Sequence, residues 1–377
     1  MHLKHFDIAV VGGGIVGVAH ALASAKAGRS VVLFERSIPA VGASVRNFGL
    51  VWPVGQPAGP RHERALRSRE IWKEVAASAN LYLADTGSLH LAYREDEWAL
   101  LEEFSETPSG SAHGRGLITP AEALGRCRAV NPSGLLGALW SPTECTVDPR
   151  QAIRALPGWL ASAHGVEVVH GATVKAVNLP LIETSAGSWK AEQALVCSGP
   201  DFETLYPEVF AAAEITRCKL QMMRTAPQPS GWQLGPALCA GLTLAHYDAF
   251  KACTRLADLE ARFRSEYPFH TAHGIHVLLS QTSTGELTIG DSHHYGLTVN
   301  PFDREDIDRA ILDYLGTFAT APSLALAERW HGVYPRMTNG ESGFVISPAP
   351  GVRIVNGLGG AGMTLSFGLA EEVVASL

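Results

Sequence analysis

The stretch "DIAVVGGGIVGVAHALASAKAGRSVVLFER" (Asp7–Arg36) constrains the fold more than any other part of the 377-residue chain. Ile8–Val11 is a short apolar strand that breaks into Gly12-Gly13-Gly14, and Gly17 completes a G-x-G-x-x-G pattern. An Ala-rich helix beginning at Ile15 and Val16 runs to about Ala27, Gly28 stops it, and a second buried strand, Ser30–Phe34, ends at Glu35. The three glycines give a tight turn, close approach of backbone to a pyrophosphate, and close packing of helix on strand. The helix N-terminus offers unpaired N–H groups and a positive dipole end to phosphates. Glu35, 21 residues after Gly14, is placed to accept hydrogen bonds from an adenosine ribose. FAD and NAD both satisfy this unit, so it does not choose between them.

The segments that follow extend it. "GASVRNFGLVW" (Gly42–Trp52) sets Ser44, Arg46 and Asn47 among small residues, where polar groups can continue along the pyrophosphate toward a second ring; an ordinary polar loop is the alternative. "RHERALRSREIWKEVAASA" (Arg61–Ala79) reads as an amphipathic helix with Leu66, Ile71, Trp72 and Val75 inward and a solvated face of arginines. From about Leu83 short strand-like pieces take over, and "TPSGSAHGRG" (Thr107–Gly116) reads as a surface insertion. Alternating α/β character returns at Val147–Asn178, where Asp148 is an N-cap followed by a proline at the first helical position. A buried strand within Ala191–Pro200 follows, then longer strands and one helix over about Ala211–Ala327, and finally strand, glycine loop and helix.

This interleaving predicts an α/β protein. Residues 1–82, 146–210 and 328–377 form a discontinuous Rossmann-like nucleotide domain. Residues 83–145 and 211–327 form an inserted, sheet-rich α+β substrate domain that covers the cofactor and leaves a cleft.

Charge and cysteine usage narrow the partners. A net charge of −7 argues against a nucleic acid or an anionic membrane surface. Six cysteines without a CxxC pair fit reduced thiols of a cytoplasmic protein. The N-terminus enters its first strand without a signal-peptide pattern, and no apolar run reaches the ~18 residues of a membrane span. His293-His294 and His273/His276 invite a metal reading, but they lack a carboxylate or cysteine pattern, so no metal is assigned.

The C-terminal loop selects the cofactor. Gly357, Gly359, Gly360 and Gly362, with Ala361 among them, precede a helix starting near Met363-Thr364. A flavin gains negative charge at its N1–C2=O edge on reduction, and a second helix N-terminus stabilises that charge. A nicotinamide has no use for it.

With these motifs in hand, the chain resembles, over essentially its whole length, the D-amino-acid oxidase, glycine oxidase and sarcosine oxidase superfamily. "SVRNFGLVWPVGQP", "TLAHYDAF", "GIHVLLSQ" and "GDSHHYG" are further similar to FAD-dependent oxidoreductases of bacterial phosphonate catabolism. The resemblance assigns Gly12, Gly14, Ile15, Val16, Gly17, Glu35 and Arg36 to FAD binding, at its adenosine-diphosphate half. It places Ser44, Arg46, Asn47, Phe48 and Gly49 along the route to the isoalloxazine, Val174 by the adenine, Ser198-Gly199 near the phosphates, and Gly359–Thr364 at the flavin. It implies non-covalent FAD, because Trp330–Gly343, where some relatives attach the flavin, contains no cysteine. Thr288 stands where those relatives use a lysine to activate oxygen.

The reaction so implied is hydride transfer from an amine-bearing carbon to flavin N5, followed by hydrolysis of the imine. The substrate is 2-aminoethylphosphonate or its N-methyl derivative, with O2 or another acceptor taking the electrons; glycine, sarcosine or a D-amino acid is the alternative. No acid–base residue is demanded at the carbon, so none is named as catalytic. His246, Tyr247, His276 and Gln281 are the substrate candidates of the inserted domain. "WHGVYPRM" (Trp330–Met337) adds two more. Relatives commonly place an arginine before the proline, where it clamps a carboxylate bidentately. Here Tyr334 takes that place and Arg336 follows Pro335; a shift of two residues points Arg336 elsewhere. No oligomeric state is encoded.

Overall fold

The computed structural model describes residues 3–377. Two sheets carry the chain. In the first, strands Glu167–His170, Val31–Glu35, His5–Val11, Gly187–Val196 and Val352–Asn356 lie side by side in that order, all parallel. Antiparallel pieces Val174–Asn178, Leu181–Thr184 and Phe344–Ala349 complete its eight strands.

Side-chain alternation explains how the sheet is sandwiched. Ile8, Val10, Val31 and Leu33 enter one core, with helices Ile15–Lys26, Pro60–Ser78, Pro149–His164 and Gly362–Ala375. Their neighbours Ala9, Val32 and Phe34 enter another, with Phe202, Phe210 and Ile354. A period of two in the strands thus buries both faces, which is why these strands read as continuous apolar runs. Gly17 lets the first helix sit on the turn, since a Cβ there would lie 1.8 Å from the Gly12 carbonyl oxygen.

The second sheet has nine strands. Its longest are Ile215–Thr225 and Leu326–Met337, antiparallel from Ile215 opposite Met337 to Thr225 opposite Leu326. The boundary drawn at residue 328 therefore cuts a strand that belongs wholly to the second sheet, and the chain returns to the first sheet only at Phe344. Helix Glu305–Phe318 packs on this sheet through Ile307, Ile311, Tyr314, Leu315 and Phe318, an apolar stripe of helical period. Leu50–Val51, Cys145–Val147 and Leu83–Ala84 make a small three-stranded bridge.

Within Thr107–Gly116, Pro108, Ser111, His113 and Gly114 are exposed, as in a surface insertion, while Arg115 is buried and bonds the Ser109 carbonyl oxygen, Ser141, Thr143 and His62. Arg64 and Arg67 of the Pro60–Ser78 helix do not simply face solvent. Each forks onto a carboxylate of the C-terminal helix, Glu372 and Glu371 respectively. Among the described residues no helix is long and apolar enough to cross a membrane.

Candidate active site

A cavity of about 580 Å³ lies along the carboxyl ends of the first sheet's strands and beneath the second sheet. At its nucleotide end Gly12 has φ +105°, and a Cβ there would lie 2.3 Å from the Cys197 carbonyl oxygen. The turn is therefore open only to glycine. Glu35 is nearly buried; its Oε2 accepts from the Gly13 N–H at 2.7 Å and its Oε1 from the Ser37 N–H at 2.8 Å. The carboxylate is thereby fixed where the second strand ends. Arg36 pairs with Asp201 at 2.7 Å on the cavity rim, and Val174 and Ser198 line the same end. Asn356 donates to the Gly199 carbonyl oxygen at 2.8 Å, holding that turn.

Further along, the Ser44 hydroxyl accepts from the Ile15 N–H at 2.9 Å, at the N-terminus of the first helix. No acidic side chain occupies that helix's first turn, so its dipole end is left for an anion. Asn47 donates to the carbonyl oxygens of Ala43 and Ser44 and accepts from the Gly49 N–H, bracing the loop. Arg46 donates to the His331 carbonyl oxygen, so this loop is tied to the WHGVYPRM strand.

The second helix N-terminus closes the far end. Gly359–Ala361 lead into Gly362–Ala375, whose first turn also carries no acid. The Thr364 hydroxyl accepts from the Trp52 N–H at 2.9 Å, and Trp72 donates to the Met363 carbonyl oxygen at 2.8 Å. Two anion-stabilising helix ends along one elongated cavity fit a molecule with a pyrophosphate in the middle and a ring that becomes anionic on reduction. Glycines where a Cβ would collide, and a carboxylate fixed at the end of the second strand, fit the same group.

Residues 7–376 match the family described as FAD dependent oxidoreductase. The chain belongs to that family. A stretch of 206 residues is 25% identical to glycine oxidase of Geobacillus kaustophilus, covering 52% of this chain and 54% of that protein. The chain thus spans about half the length of this curated relative. The solved structure of glycine oxidase from the same organism superposes with a TM-score of 0.76 at 20% identity, over 99% of this chain and 94% of that one. L-proline dehydrogenase from P. horikoshii gives 0.79 at 21%, over 99% and 93%. An L-alpha-glycerophosphate oxidase from Mycoplasma pneumoniae with FAD bound gives 0.72 at 17%, over 100% and 96%. These likenesses carry the fold; the cofactor of this oxidoreductase is FAD.

Four of the residues singled out from sequence do not line the cavity. Gly17 packs helix on turn, as above. Gly49 has φ +75°, and a Cβ there would lie 1.9 Å from the Val147 carbonyl oxygen, so it seats the loop on the small bridge sheet. Gln281 is turned away: it accepts from the Leu234 N–H and donates to the Gly285 carbonyl oxygen. Thr288 is buried in the second sheet and also lies off the cavity.

Away from the nucleotide end the cavity is lined by His246, Tyr247, His276, Tyr334 and Arg336, with Asp291 and His293 beside them. Strand geometry overturns the reading of Arg336. Tyr334 and Arg336 both lie in one strand, so a step of two residues returns to the same face, and both line the cavity. Tyr334 is buried opposite Cys218; Arg336 lies at the mouth, donating to the Tyr295 hydroxyl with its guanidinium 5.0 Å from that ring. Arg61 and Lys251 share Asp248 at 2.8 and 2.6 Å, another cationic group on the cavity wall.

Asp291 and His293 were within reach of the sequence, in "GDSHHYG", but nothing in their spacing shows that a strand end aims them inward. Three imidazoles converge, with ligand nitrogens of His246, His276 and His293 within 4.8 Å of one another. His246 and His276 are stacked, ring centroids 3.7 Å apart and planes 25° from parallel. Their in-plane lone pairs therefore run side by side and do not meet at one tetrahedral ion. Burial holds His293 down to about 4 and puts His246 and His276 well below the ordinary range. All three are uncharged at neutral pH.

Proposed function

We propose that this oxidoreductase oxidises a small amine carrying a phosphonate, 2-aminoethylphosphonate or its N-methyl derivative, to phosphonoacetaldehyde, passing the electrons to O2. The observation that carries the reading is Tyr334, in the place before Pro335 where a bidentate carboxylate clamp is lacking. In its stead the cavity offers dispersed donors: the Tyr334 phenol, the Arg336 guanidinium at the mouth, and the uncharged imidazoles of His246, His276 and His293. A tetrahedral phosphonate, with oxygens in three directions, suits dispersed donors better than a planar carboxylate does.

FAD, when bound, supplies a two-electron acceptor at N5. The chain's residues do the rest: they hold the amine-bearing carbon over the ring, screen it from bulk water, and present a helix N-terminus to developing negative charge. We take the FAD to be non-covalent. Cys197 is the only cysteine lining the cavity among the described residues; it lies at the nucleotide end, and burial raises its thiol pKa far above neutrality.

An amino-acid substrate is the second reading, and Arg336 favours it, since it shares the Tyr334 face one strand step away. A substrate panel decides between them. Peroxide release with 2-aminoethylphosphonate, its N-methyl derivative, sarcosine, glycine and D-alanine is measured side by side, with a dye-coupled assay in parallel. Preference for the aminophosphonates supports the proposal; preference for the amino acids overturns it.

A further inference from the structure

Asp291 is a carboxyl group in an unusual position. It lines the substrate end of the cavity while only 4% exposed. Its Oδ1 lies 3.1 Å from His276 Nε2 and its Oδ2 3.9 Å from His293 Nε2, yet Oδ1 has no aligned hydrogen bond among the described residues. The backbone fixes the pair: Asp291 N–H donates to the His276 carbonyl oxygen at 2.7 Å, and His276 N–H to the Asp291 carbonyl oxygen at 3.2 Å. The other carboxylate at this end that is partly buried, Asp248, already has Arg61 and Lys251. Asp291 has no arginine or lysine partner among the described residues.

Every group around it is a neutral or distant one. Tyr247 faces it from the 242–248 turn, His276 and His293 from the strand ends, and Tyr334 from the long strand, with Cys218 and Tyr295 nearby. His246 stacks on His276, and the cations Arg336 and Lys251 act on His246. Uncharged imidazoles do not neutralise a carboxylate, and a buried carboxylate without a counter-charge is held at high free energy. The missing cation is one the substrate itself brings, because an alkylamine enters as an ammonium. It must lose one proton before nitrogen can push electrons toward an imine.

We propose that Asp291 accepts the proton of the substrate's ammonium group, with His276 and His293 acting as positioning residues for its carboxyl. One N–H bond breaks, one O–H bond forms on Asp291, the electron pair stays on nitrogen, and nothing is oxidised or reduced in this step. Seclusion from water favours the neutral pair of amine and acid over the ion pair. Burial pushes the carboxyl well above its usual range, so the ionised form that accepts the proton is populated on the alkaline side, and the wild-type rate levels off once it is. The inference rests on the amine-oxidation reading and adds a catalytic residue to it.

The test follows anaerobic flavin bleaching in the holoenzyme with 2-aminoethylphosphonate and, in parallel, sarcosine, from pH 6 to 10. The wild-type second-order rate constant is expected to rise and then level off. Asp291→Asn, nearly isosteric, is expected to be about 100-fold slower at neutral pH. It should climb tenfold per pH unit, because it can use only the free amine. An Asp291→Asn profile with the wild-type shape, or a loss below about threefold, overturns the inference while leaving the amine reading intact. If neither amine bleaches the wild-type flavin, the amine reading falls first and takes this with it. A second measurement is independent of how well the variant folds. Infrared difference spectra of the wild-type holoenzyme at a pH where its rate has levelled off, its flavin reduced beforehand, should gain a protonated-carboxyl band when the amine binds. No such band overturns the assignment.

Discussion

Tyr334 and Arg336 share one face of a strand but not one environment: the phenol is buried while the guanidinium sits at the mouth on Tyr295. An anionic substrate group reaching between them would lose a charge-assisted bond with Arg336→Ala and a neutral one with Tyr334→Phe. Charge-assisted bonds contribute about 1.5–3 kcal/mol and neutral ones about 1. The Michaelis constant for 2-aminoethylphosphonate should therefore rise about 10- to 100-fold in the first variant and about fivefold in the second, with kcat little changed. Unchanged KM in both would remove the pair from the substrate site. The glycines divide in the same local way. A Cβ on Gly14 meets only the Ser44 hydroxyl, at 3.0 Å, so Gly14→Ala should fold and bind FAD more weakly in a fluorescence titration. Gly17→Ala drives a methyl into the Gly12 carbonyl oxygen and should fail to accumulate as soluble protein, although Gly17 touches no cavity. Recovery of well-folded Gly17→Ala would show the turn to be more yielding than this packing implies. The nucleotide half of the site was legible because glycine spacing and a strand-end acid encode it locally. Asp291 was not, because its burial and its pairing with His276 across two chain segments leave no local pattern.

Among the elements, helix Pro149–His164 shows how one residue joins the two sheets. Asp148 caps it, its Oδ1 accepting from the Arg150 and Gln151 N–H groups, while Oδ2 accepts from Ser283 Oγ of the second sheet's 278–290 hairpin. Removing a helix cap costs about 1 kcal/mol, and the second contact adds to it. Asp148→Ala should lower stability by about 1–2 kcal/mol in denaturant melts, and Asp148→Asn should recover part of that loss. If Asp148→Ala melts like wild type, the hydrogen bonds across the seam contribute nothing. This cap was visible in the sequence as Asp-Pro before an apolar period, and so were the first strand, helix and strand. What the sequence hid was ownership. "WHGVYPRM" sits just upstream of a glycine-rich loop, but the strand that holds it, Leu326–Met337, has an eleven-pair register with Ile215–Thr225, a contact between segments about 110 residues apart. No local period shows which sheet takes such a strand. Arg115 was missed for a related reason: a Gly- and Ser-rich run looks exposed until a partner such as His62 is folded onto it.

At the scale of the whole molecule, buried histidines set how the protein meets acid. His20 is fully enclosed beneath the first sheet, its ring nitrogen bonded to the Val16 carbonyl oxygen at 2.7 Å, and burial holds it down to about 4. His90 lies against Trp52 and Phe250 under the second sheet and is held down to about 3. His293, at the cavity between the sheets, is held to about 4. Each is neutral in the folded chain and has the ordinary value of about 6.5 once unfolded. Above pH ~6.5 neither state carries the proton and the stability is fully present. As pH falls below that, the unfolded chain takes up the protons first, so stability is lost until the folded value near 4 is reached, where the loss ends for that group. For His20 alone this amounts to about 3 kcal/mol, against a net stability for a whole domain of about 5–15. The paired carboxylates act lower. Glu371 on Arg67 and Asp303 on Lys219 are held below their usual range, so their contributions are present above about pH 4 and vanish only beneath it. The interval from 6.5 to 4.5 is dominated by the histidines, which outnumber Asp291, Glu97 and Asp308, the carboxyls that burial raises and whose proton uptake favours the folded chain. The melting temperature of the holoprotein should fall steadily across it. His20→Leu should start lower at pH 7, having lost the bond to Val16, and then fall less steeply because one proton uptake is gone. A melting temperature flat from pH 7 to 4.5, or equal slopes for the two proteins, would show that these imidazoles are reached by water in the folded state.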